Sequence, residues 1–166
     1  MDSVNGALGV VAKGMKLIAA IWIMLLSIFI LIEVVARGVF NIPIIGLKEV
    51  VANSIVIIAF LQLPYTVRIG GMLRAEVLDS VLPGSVTRLL TRLAFLLGAC
   101  LFAAVAYAGW GPMLRAWASG EYEGEGGFRV PTYPVRTVIV FGSALGAINF
   151  LIIALRPDLL EETQND

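Results

Sequence analysis

The hydrophobic and polar positions of this chain divide it into four long runs without charge, at residues 17–32, 50–67, 93–114 and 137–155. An α-helix crosses a bilayer core about 30 Å thick with roughly 20 apolar residues, at about 1.5 Å per residue. The runs lack the alternation of polar and apolar residues that is typical of membrane barrel strands. The pattern predicts an all-α integral membrane protein with four transmembrane helices, which span approximately residues 15–40, 47–67, 93–114 and 137–155.

The composition leaves little room for a domain outside the membrane. Of the 166 residues, 59% are hydrophobic and 14% are charged, which is far from the usual range of soluble proteins. The stretches between the runs are too short to hold a core of their own, so we expect one membrane domain over residues 1–166. The formal net charge of zero gives no general attraction to nucleic acid, and none is expected as a partner. The first run is too long for the apolar region of a signal peptide and is expected to remain as the first helix.

The residue types that bind metals and haem are scarce. The sequence contains no histidine and one cysteine, Cys100. Bis-histidine haem ligation is therefore excluded, and a single cysteine cannot build a zinc or copper site alone. Cys100 lies among alanines and leucines and is interpreted as a small apolar residue, with a reactive thiol as the alternative. Since no nucleophile with a base and no midplane carboxylate pair is visible, we expect no cofactor and no enzymatic activity.

Lysines and arginines near the helix ends predict the orientation in the membrane. With the amino terminus inside, seven of the 12 basic residues are cytoplasmic and five are outside. The short loop between helices two and three strengthens this bias through Arg68, Arg74, Arg88 and Arg92. Both termini are therefore predicted to be cytoplasmic. The same loop is predicted to form an amphipathic segment in the inner interface, with a solvated loop as the alternative. Arg74 lies within the apolar face of that segment, and its long side chain can extend to the polar interface.

The loop between helices three and four carries alternating carboxylates. Glu121, Glu123 and Glu125 are separated by a tyrosine and a glycine. A calcium site is one interpretation, but the aspartate-rich spacing of known calcium loops is missing. The other two interpretations are a polar surface that contacts a partner and a plain solvated loop. The three glutamates are kept as candidates for contact with a partner.

Small residues recur at a four-residue spacing in two of the predicted helices. Gly142 and Gly146 form a GxxxG pattern in the last helix, and Cys100, Ala104 and Ala108 share one face of the third. Such faces let helices approach closely in lipid. We expect packing within the chain, and packing against another subunit is the alternative.

One possible ion pair lies toward the end of the first helix. Glu33 and Arg37 are one helical turn apart and can pair on a single face. Counted from Leu17, Glu33 lies roughly 24 Å along the helix, which is near the outer boundary of the membrane. An ion pair at the interface is the simplest interpretation. Because ionisable residues in membrane helices are often functional, a coupling or contact role is the alternative.

Two stretches, residues 33–49 and 60–74, resemble the small permease subunit of TRAP (tripartite ATP-independent periplasmic) transporters. Members of that family show an arginine followed by an aromatic-Asn pair, then Gly-x-x-Glu, and later Tyr-x-x-Arg-x-Gly before an amphipathic segment. The residues at these positions here are Arg37, Phe40, Asn41, Gly46, Glu49, Tyr65, Arg68 and Gly70. Many members continue with His-Ile where this chain has Met72-Leu73, so no role of that histidine carries over.

The resemblance implies a supporting role in transport. In this family the small subunit packs beside a large permease, which uses a sodium gradient to import an organic acid delivered by a periplasmic binding protein. The expected location is the inner membrane of a bacterium or archaeon. The candidates for subunit or membrane contact are Glu33, Arg37, Phe40, Asn41, Glu49, Tyr65, Arg68, Arg74, Gly142 and Gly146. The candidates for docking the binding protein are Glu121, Glu123 and Glu125.

Two other functions are compatible with four membrane helices. One is a self-contained, proton-coupled exporter that acts as a homodimer with Glu33 as its proton-exchanging carboxylate. Small exporters of this kind place the glutamate in the middle of helix one and have shorter loops. The other is a membrane scaffold or assembly factor without a transport role, and only the identity of its partners would separate it from a transporter subunit.

Overall fold

Four α-helices make up most of the part of the chain that the structure describes. The computed structural model describes residues 2–42, 44–69, 84–124 and 129–155. The helices are α1 (Asp2–Phe40), α2 (Leu47–Arg68), α3 (Gly84–Ser119) and α4 (Tyr133–Leu155). Between α3 and α4 lie two short antiparallel strands, β1 (Tyr122–Glu123) and β2 (Val130–Pro131).

All four helices are long and apolar enough to cross a membrane, which confirms the predicted all-α integral membrane fold. The helices are longer than the apolar runs, because hydropathy reports the membrane core and not the point where backbone hydrogen bonding ends. Helix α1, for example, begins at Asp2, and α3 begins at Gly84. Most of the predicted amphipathic segment, with Arg74, lies outside the described residues.

The main contacts between helices join α1 to α2, α2 to α4, and α4 to α3. Successive helices alternate in direction, so α2 and α4 are parallel to each other and antiparallel to α1 and α3. One end of the bundle, called here the terminal end, holds the start of α1 and the last residues of α2 and α4. The opposite end, called the hairpin end, holds the two strands. Helix α4 is central, since half of its most apolar 18-residue window is buried, against 6% for α1.

The buried apolar cluster lies where α2, α3 and α4 meet. It consists of Val67, Ala99, Phe150 and Ile153. The Phe150 ring lies 5.7 Å from that of Phe95 and 5.5 Å from that of Phe102, measured between centroids. A Cβ at Gly98 would lie 2.6 Å from the Phe150 ring, so glycine at this position makes room for the aromatic side chain.

The GxxxG pattern forms the contact between α4 and α2. A Cβ at Gly142 would lie 2.5 Å from the backbone oxygen of Phe60, and one at Gly146 would lie 2.8 Å from Cδ2 of Leu63. Both glycines are buried. The pattern therefore brings two helices of the same chain together, as expected for small residues in membrane helices.

The charged residues mark two levels along the bundle. The uncharged stretches are roughly 25 to 35 Å long at about 1.5 Å per residue, close to the thickness of a bilayer core. Their limits on the first three helices are Lys16 and Glu33 on α1, Glu49 and Arg68 on α2, and Arg92 and Arg115 on α3. We therefore place the two membrane boundaries at these charged positions, and α1 extends past its boundary from Lys16 back to Asp2.

Candidate functional site

The turn between α1 and α2 is shaped by two residues in the left-handed conformation. Asn41 has φ 55° and follows the last residue of α1, while Gly46 has φ 84° and precedes α2. Asparagine and glycine adopt this conformation at the lowest cost. The Ile42 N–H donates to the Ala36 carbonyl at 3.3 Å and caps the end of α1. The structure thus gives Asn41 and Gly46 a local role in ending one helix and starting the next.

Glu33 and Arg37 form the ion pair that their spacing predicts. The Arg37 side chain is 65% exposed and donates to the Glu33 carboxylate, which is 14% exposed. The pair lies at the hairpin end, close to the exposed Phe40. Glu49 is half-buried in the first turn of α2, where the positive end of the helix dipole stabilises a carboxylate.

Arg68 connects three helices at the terminal end. Its Nη1 donates to Oδ1 of Asn149 on α4 at 3.5 Å. A Cβ on Gly9 of α1 would lie 3.3 Å from Nη2 of Arg68, so the guanidinium occupies space that a glycine leaves open. Asn149 is buried and donates from Nδ2 to the Leu145 carbonyl at 2.8 Å. This cluster joins α1, α2 and α4.

Tyr65 provides a second contact between α1 and α2. Lys16 of α1 places its Nζ 4.1 Å from the centroid of the Tyr65 ring, which is a cation–π arrangement. Tyr65 and Arg68 are one turn apart on α2. The Tyr-x-x-Arg part of the motif therefore faces neighbouring helices of the same chain. Gly70, the last residue of that motif, lies outside the described residues.

Glu121 holds the strands against the start of α4. Its backbone N–H donates to the Ala116 carbonyl, and its own carbonyl accepts from the backbone N–H of Thr132, each at 3.0 Å. The Thr132 hydroxyl donates to the same carbonyl at 3.2 Å. The carboxylate accepts from Nη2 of Arg136 at 2.6 Å. Glu121 is therefore engaged within the chain through both its backbone and its side chain.

Aromatic residues strengthen the junction between α3 and α4. Trp117 donates from Nε1 to the Thr137 hydroxyl at 2.9 Å. Its ring lies 4.5 Å from that of Tyr133, measured between centroids. These contacts join the end of α3 directly to the start of α4, next to the segment that carries the two strands.

The outer part of the strands remains available to solvent. Tyr122 and Glu123 of β1 are exposed, and the Arg129 guanidinium lies 4.4 Å from the Tyr122 ring centroid. The Glu123 carboxylate forms no ion pair within the part of the chain that the structure describes. Glu125 lies outside that part. Among the described residues, no group of three His, Cys, Asp or Glu side chains could hold a metal ion.

The comparison with known families covers most of this bundle. The family model described as "Tripartite ATP-independent periplasmic transporters, DctQ component" matches residues 17–159. The chain belongs to the DctQ family. This confirms the resemblance to the small TRAP subunit that the motifs indicated. No curated protein and no solved structure gives a significant match.

Within this DctQ-family chain, the sequence analysis missed the partners of the motif residues. It identified Tyr65 and Arg68 but not Lys16, Gly9 or Asn149, which contact them. These partners come from α1 and α4 and have no spacing relation to α2. The presence of Asn149 in an apolar run was an available signal, because such a side chain needs a hydrogen-bond partner in lipid.

Proposed function

We propose that the chain is the small membrane subunit that supports the large TRAP permease. That permease imports an organic acid with a sodium gradient after delivery by a periplasmic binding protein. The observation that carries the proposal is the DctQ family match over residues 17–159. The bundle supports it, because the described polar contacts of its charged side chains lie at the two membrane boundaries. Such a bundle is suited to serve as a scaffold.

The proposed orientation places the terminal end in the cytoplasm and the hairpin end in the periplasm of an inner membrane. The positive-inside rule supports it through the basic residues of the terminal end, among them Lys13, Lys16, Arg68 and Arg92. The strands then face the compartment of the binding protein. Both termini are cytoplasmic in this arrangement.

The strands are the proposed docking element for the binding protein. Glu121 acts as an internal attachment to Arg136, and Glu123 presents a carboxylate to the solvent. Glu125 is included in the docking proposal from its place in the sequence. Contacts with the large subunit or with lipid are proposed for the exposed motif residues near the hairpin end, namely Arg37, Phe40 and Asn41.

Charge reversal at Glu123 tests the docking element. Glu123→Lys should lower uptake at limiting binding protein while the membrane complex is recovered in full. Glu121→Lys is the comparison variant. It places a cation beside Arg136, so it should displace the strands in addition to lowering uptake. Unchanged uptake with Glu123→Lys and with reversal at all three glutamates would remove the strands from the docking proposal.

The transport role is tested by reconstitution. Liposomes that contain the large permease are prepared with and without this chain, and uptake of the organic acid is followed with the binding protein outside and a sodium gradient imposed. We expect uptake only when this chain is present and the gradient is directed inward. Equal uptake without this chain would contradict the proposal.

A further inference from the structure

The two ends of the bundle differ in how their charged side chains are paired. Both ion pairs of the described residues lie at the hairpin end, one within α1 and one between the strand segment and α4. At the terminal end, the only acidic residue on the described helices is Asp2, about 16 Å along α1 from Lys13 at about 1.5 Å per residue. Within the part of the chain that the structure describes, Lys13 and Lys16 therefore have no carboxylate nearby.

These two lysines lie at the edge of the contact between α1 and α2. In this part of α1, Ala12 and Ala19 are buried, whereas both lysines are exposed. The Nζ of Lys16 lies 4.1 Å from the centroid of the Tyr65 ring on α2, and this contact holds the ammonium group at the groove between the two helices. Lys13 is three residues earlier, so its Cβ is about 5–6 Å from that of Lys16. Both ammonium groups can therefore reach one small ligand.

A third cation lies beside the same stretch of α1. A Cβ on Gly9, one turn before Lys13, would lie 3.3 Å from Nη2 of Arg68. The bond from Arg68 to Asn149 fixes the guanidinium at this place. Like charges at such spacings repel one another and destabilise the arrangement. An anion bound among the three cations would offset that repulsion.

The groove lies at the depth of lipid headgroups. Lys16 marks the membrane boundary on α1, and Lys13 is about 4.5 Å beyond it at about 1.5 Å per residue. The polar layer on each side of a bilayer core is about 5–7 Å thick, so it includes both lysines. Leu17, one turn after Lys13, is exposed, and an acyl chain can follow α1 from there into the hydrocarbon core. The anion available at this depth is the phosphate of a phospholipid.

We propose that Lys13, Lys16 and Arg68 bind the phosphate of an anionic phospholipid headgroup in the groove between α1 and α2. The ammonium groups donate to the phosphate oxygens, and Tyr65 is a positioning residue that orients Lys16. An anionic headgroup is preferred, because a zwitterionic one would bring an ammonium group of its own among the three cations. The proposal goes beyond the proposed function, since it depends on the position of the helices in the membrane and not on the identity of the large subunit.

Native mass spectrometry tests the choice of lipid. The full chain is purified in an uncharged detergent with the subunits that accompany it, and phosphatidylglycerol, phosphatidylcholine or inorganic phosphate is titrated in. Adducts are counted on this chain after its release from the other subunits in the gas phase. We expect one phosphatidylglycerol per chain, bound about tenfold more tightly than phosphatidylcholine or inorganic phosphate. Equal affinity for the two lipids, or tighter binding of inorganic phosphate, would overturn the proposal.

Paired substitutions test the site itself. Lys13→Gln with Lys16→Gln should weaken phosphatidylglycerol binding about 25-fold, since each basic residue near an anionic lipid contributes about fivefold. Lys13→Arg with Lys16→Arg keeps both charges and should retain binding. Lys48→Gln with Arg115→Gln is the matched control, because it removes two exposed cations at the hairpin end, and it should leave the affinity unchanged. No loss with the lysine pair, or an equal loss with the control, would overturn the proposal.

The positioning role of Tyr65 is tested by separating its ring from its hydroxyl. Tyr65→Leu removes the ring and should weaken phosphatidylglycerol binding about threefold, the size expected for an exposed cation–π contact. Tyr65→Phe keeps the ring and should bind as the unmodified chain does. Equal losses with the two variants would contradict positioning by the ring.

Discussion

Helices α1 and α4 are both apolar enough to cross a membrane, yet they occupy opposite positions in the bundle. Half of the most apolar window of α4 is buried, against 6% for α1. The difference follows from one face of α4, which carries Gly142, Ser143, Gly146 and Asn149, all buried. Overall hydropathy locates both helices in a membrane, whereas the small and polar residues on one face of α4 mark its buried side.

The physical reason is that lipid tails are as apolar as the side chains. Helices in a membrane associate through close packing and interhelical hydrogen bonds. Helix α4 has both, in its glycine contact with α2 and in the bond between Arg68 and Asn149. The attachment of α1 includes the contacts of Gly9 and Lys16 with α2 near the terminal end. The comparison can be tested by making matched changes in the two helices.

The largest effect is expected from a side chain in the contact between α2 and α4. Gly142→Leu would place its Cβ 2.5 Å from the Phe60 carbonyl oxygen, a backbone atom that cannot rotate away. We expect most of the folded protein to be lost. Gly14→Leu on α1 is the matched control, because a Cβ at Gly14 meets nothing within 4 Å. The measurement is the yield of monodisperse protein by size-exclusion chromatography in mild detergent.

The same comparison includes Gly146→Leu, which should be less damaging than Gly142→Leu. Its Cβ meets the end of the flexible Leu63 side chain and not the backbone. Equal yields for Gly142→Leu and Gly14→Leu would contradict the central place of α4.

An intermediate effect is expected from the buried asparagine of α4. Asn149→Leu removes its bonds to Leu145 and Arg68, and it should lower the free energy of unfolding by about 1–3 kcal/mol. On α1, Ser27→Ala removes an exposed bond within one helix and should change it by less than about 0.5 kcal/mol. Thermal unfolding in detergent gives both values. Comparable losses for the two variants would show that Asn149 does not hold the helices together.

The smallest effects are expected from the two ion pairs. Arg136 and Glu121 are 38% and 40% exposed, so Glu121→Gln should lower the free energy of unfolding by less than about 1 kcal/mol. Arg37→Gln acts within α1 and should change it by less than about 0.5 kcal/mol. Hydrogen exchange of β1 and β2 should increase for Glu121→Gln alone. A similar increase for Arg37→Gln would show that the strands do not depend on the Glu121 attachment.

The sequence predicted the features that depend on local spacing. Four apolar runs predicted four helices, since each run is close to the length that crosses a bilayer. The four-residue spacing of Glu33 and Arg37 predicted their ion pair. In both cases the relevant geometry lies within one helix.

The remaining features depend on which helices meet. Arg68 and Asn149 are 81 positions apart, and no pattern in either helix indicates the other. Glu121 was grouped with Glu123 and Glu125 because all three are acidic. Glu121 differs from the exposed Glu123 because the fold brings Arg136 within hydrogen-bonding distance of the Glu121 carboxylate. The packing order could not be predicted either, because every helix is apolar on most sides.

The central claim, that this chain is the small subunit of a TRAP transporter, is tested most directly by purification of the tagged protein from its native membranes in mild detergent. Mass spectrometry then identifies and quantifies the proteins that accompany it. We predict a large TRAP permease in stoichiometric amount. Recovery of this chain alone, as a stable homo-oligomer, would contradict the account.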